Sequence, residues 1–243
     1  MQRRYLLIDI SNSFTKIAVA TAERIGKAAR IPTRDLTANK LPRKSIDAIV
    51  VSSVVPRKNA AVKKAAGNRP TLFIDASTDL GIGINYPRRK TIGADRLANA
   101  VAVAELYGYP AIVVDFGTAV TFDVVSAERS YVGGVIAPGL ESMTTFLYQR
   151  TALLPKLTLR EPTSAIGKST RGAMLSGAVH GYRGLVAEIL RQIRAENFRN
   201  ANPRIVATGG YAELIARQLP EIEAVDPQLT LEGLRLIARR NFG

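Results

Sequence analysis

Two stretches of this chain carry the same pattern: an apolar, β-favouring run ending on an aspartate, a turn of small residues, then a second apolar run. At 112–125 the residues are IVVDFGTAVTFDVV, and at 6–19 they are LLIDISNSFTKIAV. Each predicts strand, tight turn, strand. Superposing Asp9 on Asp115, a shift of 106 residues, aligns the segments without a gap and places Ser11 on Gly117, Ser13 on Ala119 and Thr15 on Thr121. A carboxylate at a turn with little side-chain bulk and several hydroxyls suits phosphate oxygens and the cations that accompany them, and Gly117 lets backbone come close to a ligand. Two such units in one chain predict an α/β fold built from a duplicated domain, with a phosphate-bearing ligand in the cleft between two mixed-sheet halves. The halves are expected at 1–110 and 111–243.

Composition is compatible with this. A chain of 243 residues, 47% of them hydrophobic, can bury a proper core. The absence of cysteine excludes disulfides, thiolate metal sites and a cysteine nucleophile. The apolar run after Arg3 and Arg4 is cut by Asp9 too early for a signal peptide, and no stretch approaches the roughly 20 apolar residues of a membrane span. A cytoplasmic protein with no membrane partner is expected. The net charge of +14 is uneven, because residues 1–110 hold 19 of the 34 basic and 8 of the 20 acidic residues, +11 against +3 for the remainder. That excess can steer anionic small substrates. With no helix-turn-helix, zinc-finger or aromatic-basic motif beside it, nucleic acid is not expected as a principal ligand.

Along the chain, strands are predicted at Tyr5–Ile10, Thr15–Ala20, within Gly26–Pro32, and at Ile46–Ser52 and Thr71–Ile74, with a basic helix Arg57–Ala66 closed by Gly67. Gly81–Arg89 is expected to be a loop. Gly93-Ala94-Asp95-Arg96 opens a helix to Tyr107, which puts Asp95 in or just before a first helical turn. There the helix dipole and free N–H groups favour its ionised form, as a general base requires, although a helix cap is the simpler role for such an aspartate. After the second hairpin come a strand at Ser130–Ile136, helices at Leu140–Gln149 and Gly172–Arg194 with irregular chain between them, a strand Arg204–Thr208 running into Gly209-Gly210, a helix Tyr211–Gln218, a strand Ile222–Val225 and a final helix Leu231–Asn241. His180, within the long helix, is expected to be structural.

The set DISNSFTK (9–16), GADR (93–96), DFGTAVTFD (115–123), GGVIAPG (133–139) and ATGG (207–210) resembles the type III pantothenate kinases, over nearly the whole chain and in the expected order. Each phosphate turn alone occurs across the wider actin, sugar-kinase and heat-shock-ATPase superfamily; GADR followed about twenty residues later by the DFGT hairpin is more specific. The resemblance implies two ribonuclease-H-like halves of the actin-like ATPase kind, and transfer of the ATP γ-phosphoryl group to the primary hydroxyl of pantothenate, the first step of coenzyme A biosynthesis. It also implies a homodimer, Mg²⁺, and a monovalent cation, K⁺ or NH4⁺. Carried over by residue, Asp9, Ile10, Ser11, Asn12, Ser13, Phe14, Thr15 and Lys16 form the first ATP loop, with Asp9 near the ATP-bound metal. Asp95 becomes the base. Tyr86, Gly93, Ala94, Arg96 and Thr170 hold pantothenate, Asp115 binds the monovalent cation, and Thr118 contacts ATP. Other readings are a superfamily kinase with another substrate, or a member that binds without turnover.

The first loop departs from the family, which has glycine and threonine where this chain has Ser11 and Ser13. If Ser11 is forced to positive φ, the strain is about 1–2 kcal/mol and its replacement by glycine tightens ATP binding. An ordinary negative φ predicts the opposite.

Overall fold

In the computed structural model, which describes residues 2–199 and 201–243, the chain divides into two compact units. Unit one comprises residues up to Tyr109 together with Ala127–Gly133 and Gln228–Gly243; unit two comprises Pro110–Ser126 and Gly134–Pro227.

Unit one begins with β1 (Tyr5–Ile10), β2 (Phe14–Ala20), β3 (Ala29–Pro32), β4 (Ala48–Ser53), α1 (Asn59–Ala66) and β5 (Thr71–Phe73). These strands form a sheet in the order β3-β2-β1-β4-β5, with β1 antiparallel to β2 and parallel to β4. Being central, β1 is buried at all six positions, which is why it reads as a continuous apolar run up to Asp9 instead of alternating. Leu6, Ile8, Val51 and Val62 belong to the cluster that joins sheet to α1. That helix ends where Gly67 takes a left-handed φ of 59°.

Next come β6 (Gly83–Ile84) and α2 (Ala94–Leu106). The expected loop at Gly81–Arg89 therefore contains a two-residue strand, parallel to Ser130 and Tyr131. Its signal was too short to see in the sequence, since two residues show no period. Asn85 N–H extends the pairing by donating to the Tyr131 carbonyl at 2.9 Å.

Unit two contains β7 (Ala111–Phe116) and β8 (Ala119–Val125), then the second part of β9 (Ser130–Pro138), which starts in unit one. It continues through α3 (Leu140–Arg150), α4 (Thr170–Asn197), β10 (Arg204–Gly209), α5 (Ala212–Ala216) and β11 (Ala224–Val225). Its strands follow the order β11-β10-β7-β8-β9, with β7 antiparallel to β8 and parallel to β10. The arrangement around β7 thus repeats that around β1. Irregular chain between α3 and α4 is pinned by Arg183, whose guanidinium donates to both Glu161 oxygens (2.7 and 2.9 Å) and to the Leu214 carbonyl.

The two hairpins differ by one residue. Asp9 faces Lys16, seven positions on, whereas Asp115 faces Thr121, six positions on. The gapless alignment therefore fails past the turn: Lys16, not Thr15, occupies the place of Thr121. An added turn residue shifts every later side chain by one, and a residue pattern of small polar groups does not reveal it.

The last helix, α6 (Leu229–Phe242), packs in unit one against α2. The crossing is close because Gly233 has no side chain; a Cβ there would lie 2.0 Å from the Ala98 carbonyl oxygen. Beside it, the Thr230 hydroxyl donates to Asn99 Oδ1 at 2.9 Å in buried surroundings. Gly233→Ala should force these backbones apart and destabilise the protein by about 1–3 kcal/mol, read as a lower urea midpoint. An unchanged midpoint would show that the crossing has slack.

Candidate active site

The first aspartate turn is held from below by a residue with no sequence signal. Buried Thr33 donates its hydroxyl to the Ser11 carbonyl (2.7 Å) and its N–H to the Ser13 carbonyl (3.0 Å), while its oxygen lies 3.0 Å from that of Thr15. Thr15 is fully buried and its hydroxyl is committed there; Ile10 is core. Asn12, Ser13 and Phe14 are exposed at the tip, and Arg30 stacks its guanidinium 3.5 Å from the Phe14 ring centre. Lys16 lies opposite Asp9. Ser11 is not strained: among the described residues only Ser45 and Arg129 combine a side chain with a left-handed φ. Its hydroxyl makes a long 3.4 Å hydrogen bond to Asp9 Oδ2, and its N–H bonds the Phe14 carbonyl. The strain expectation is thereby corrected, since a four-residue turn accommodates a Cβ without positive φ.

The second turn is backed by α3. A Cβ on Gly139 would lie 2.3 Å from the Thr118 carbonyl oxygen, and Ser142 donates its hydroxyl to that oxygen at 3.0 Å. Gly117 and Thr118 consequently stand exposed on a fixed support. Asp115 is half-buried, and Gly209, with φ +96°, leaves room for its carboxylate where a Cβ would come within 2.6 Å of Oδ1. Tyr182 steadies the base of α3 by donating to the Pro138 carbonyl at 3.2 Å, and burial pushes its hydroxyl up to about 12.

The rows across the sheets separate the two aspartates chemically. On neighbouring strands Asp115 has Thr121 and Thr208, an all-oxygen set that fits a hard cation. Asp9 has Lys16 and Ser52, so a cationic residue stands in register with the carboxylate. Ser52 and Thr208 are fully buried, and neither hydroxyl has a hydrogen-bond partner among the described residues, a cost of about 1–3 kcal/mol each.

In unit one, GADR forms the start of α2, with Gly93 as N-cap and Asp95 in the first turn. Asp95 does not cap the helix in the usual way: its Oδ1 accepts from the N–H of Arg96 at 2.9 Å and occupies space that a Cβ on Gly93 would enter at 2.6 Å. Burial pushes its carboxyl above the usual range; the Arg96 N–H and charge pull the other way and lose. The dipole argument from sequence thus has the wrong net sign, because desolvation was not visible there. Arg96 extends over Tyr131, 5.7 Å from its ring centre, and Tyr86 meets the same ring edge-on at 6.1 Å. Gly133 closes this group, a Cβ there falling 3.5 Å from the Tyr86 ring. Tyr131 was missed by sequence reasoning, although its place just before the double glycine was a usable signal. Ala94, the remaining GADR residue, is buried beneath the turn. Thr170 belongs to unit two, exposed at the start of α4; its neighbours Ser169 and Arg171 line a groove of about 840 Å³.

Two sheets repeating one pattern, each with an aspartate turn at the end of its central strand, define a duplicated ribonuclease-H-like fold. A solved member with this fold is the inorganic polyphosphate/ATP-glucomannokinase from Arthrobacter, matched at a TM-score of 0.52 with 14% identity, over 98% of this chain and all of that one. The sequence places the chain more narrowly. The family model for type III pantothenate kinase matches residues 5–192. The type III pantothenate kinase of Akkermansia muciniphila is 50% identical, covering 98% of this chain and 99% of the relative, and that of Methylacidiphilum infernorum is 44% identical over 96% and 87%. The chain belongs to the type III pantothenate kinase family.

Gly93→Ala should leave the fold intact, because the added methyl meets only the tip of the Asp95 side chain. Displacing that carboxylate should nevertheless lower kcat about 10–100-fold. Ser11→Gly, which loses a side-chain hydrogen bond and gains backbone freedom, should weaken binding of a non-hydrolysable ATP analogue about 2–5-fold by calorimetry. Tighter binding would restore the strain model.

Proposed function

We propose that this chain transfers the γ-phosphoryl group of ATP to the primary hydroxyl of pantothenate, with Asp95 as the base. The observation that carries this reading is the Asp95 carboxylate, fixed over Gly93 and raised by burial toward the range where a base works at neutral pH. As the hydroxyl oxygen bonds the γ-phosphorus, its proton passes to Asp95; the bond from that phosphorus to the bridging oxygen breaks, and ADP leaves. Arg96 supplies a planar cation for the pantothenate carboxylate, with Tyr86 and Tyr131 packed beside it. The exposed tip around Asn12 and Ser13, with Lys16 and Thr118, serves the ATP phosphates. Mg²⁺, held near Asp9 through ATP, and K⁺ or NH4⁺ at Asp115 would neutralise phosphate charge when bound.

The two aspartate hairpins head repeats that we read as 1–110 and 111–243. A homodimer is supported by the outer face of α3, where Met143, Phe146 and Leu147 are exposed at helical spacing, with Leu153 and Ile166 bare in the chain that follows. Thr170 would then join pantothenate binding from its position on α4. No helix among the described residues is long and apolar enough to cross a membrane, which fits the cytoplasm as its place of work.

Asp95→Asn should lower kcat about 10²–10⁴-fold with little change in substrate KM. A carboxyl with a raised folded pKa contributes stability below its unfolded pKa and loses it as pH rises through the folded value. The variant should therefore melt at or above the wild-type temperature at pH 7, and the acid limb of the wild-type kcat/KM profile should lie above 3.8, the ordinary aspartate value. Wild-type turnover in the variant would remove Asp95 from this role. Activity should also require K⁺ or NH4⁺; full activity with only a bulky organic cation would remove Asp115 from cation binding.

A further inference from the structure

Both aspartates have a hydroxyl residue as in-register neighbour on the adjacent parallel strand: Ser52 on β4 beside Asp9, and Thr208 on β10 beside Asp115. In-register neighbours project from the same face of a sheet, so each hydroxyl shares a face with its carboxylate. The opposite flanks differ, Lys16 in one unit and Thr121 in the other. The hydroxyl and the aspartate are what the two rows have in common.

Each hydroxyl is buried at 0% exposure and has no partner among the described residues. Alanine or valine would fill these places without leaving a polar atom unsatisfied, and one such exception would be unremarked. Two at equivalent positions of two units point to a shared use. One carboxylate already reaches its partner strand: a Cβ on Gly209, directly after Thr208, would lie 2.6 Å from Asp115 Oδ1, so the carboxylate packs against β10. In unit one the next hydroxyl along β4, that of Ser53, is already engaged, donating to Asn59 Oδ1 at 2.6 Å and accepting from the Val55 N–H. Ser52 is left as the strand-end donor facing Asp9.

We propose that Ser52 and Thr208 are positioning residues whose hydroxyls stand idle in the free protein and donate to Asp9 and Asp115 when phosphates and their cations bind. A donor on one carboxylate oxygen fixes the rotamer and directs the other oxygen to the cation, as outer-shell partners do in metal sites. This rests on the phosphoryl-transfer reading for the identity of the ligands. The idle state also makes a specific energetic signature: removing either hydroxyl relieves the free protein while weakening the loaded one.

Thermal melts of full-length wild type, Thr208→Val, Thr208→Ser and Ser52→Ala test this, each alone and with a non-hydrolysable ATP analogue, Mg²⁺ and K⁺. Titration calorimetry of the analogue accompanies them. Thr208→Val and Ser52→Ala should melt at or above wild type when free, yet lose at least half of the ligand-induced rise, with analogue affinity about tenfold weaker. Thr208→Ser, which keeps the hydroxyl, should retain the wild-type rise. A lower free melting temperature with an intact ligand rise, a serine variant as impaired as the valine one, or no ligand rise in wild type would each overturn the proposal. Wild-type ADP formation with pantothenate, assayed in parallel, separates the outcomes: its absence counts against the proposed function, whereas its presence with variants matching wild type counts against the hydroxyls alone.

Discussion

A strand buried on both faces can carry a charge only at its end, and this constraint organises both units. β1 and β7 are flanked by neighbouring strands and buried along nearly their whole length. Burying a carboxylate anywhere earlier on them would require a compensating partner in an apolar core. Asp9 and Asp115 therefore lie where each apolar run stops, at the C-terminal ends of central strands, where open α/β sheets receive ligands. The small-residue turns follow because bulk there would close the approach.

From this starting point the two units diverge by small means. One additional turn residue brings Lys16 opposite Asp9, while the shorter turn brings Thr121 opposite Asp115. A lysine in register with a carboxylate suits a site that receives phosphate; an all-oxygen row suits a free cation. The supports differ likewise: Thr33 holds the first turn through its carbonyls, and Gly139 with Ser142 holds the second. The same ancestral hairpin can thus serve two electrostatic tasks without a change of fold.

Much of this was legible in sequence, for physical reasons. Long apolar runs, aspartates at their ends and glycine punctuation marked the hairpins, most other strands and the main helices, while the parallel pairing of β1 with β4 and of β7 with β10 came from the structure. GADR marked the start of α2, where a helix cap was the simpler role for Asp95, and the role of base came from the family resemblance. What stayed hidden was either too short or set by tertiary surroundings. β6 has two residues, yet it places Tyr86 against Tyr131. Thr33, Ser52 and Thr208 are ordinary strand or turn residues until their neighbours are known. The direction of the Asp95 shift depended on burial, which outweighed the adjacent N–H and arginine. Nothing in Leu229–Phe242 says that this helix packs on α2; Gly233 is the only trace of that contact, and only beside Ala98 does it acquire meaning.

The central claim is that these groups together phosphorylate the primary hydroxyl of pantothenate. Mass spectrometry of the products formed by the purified protein from ATP, Mg²⁺ and K⁺ tests it directly, with pantothenate offered in a mixture with common hexoses. The account predicts a single phosphorylated product, pantothenate carrying one phosphoryl group on its primary hydroxyl, formed in step with ADP. Phosphorylation of a sugar in place of pantothenate, or release of inorganic phosphate with no phosphorylated acceptor, would contradict it.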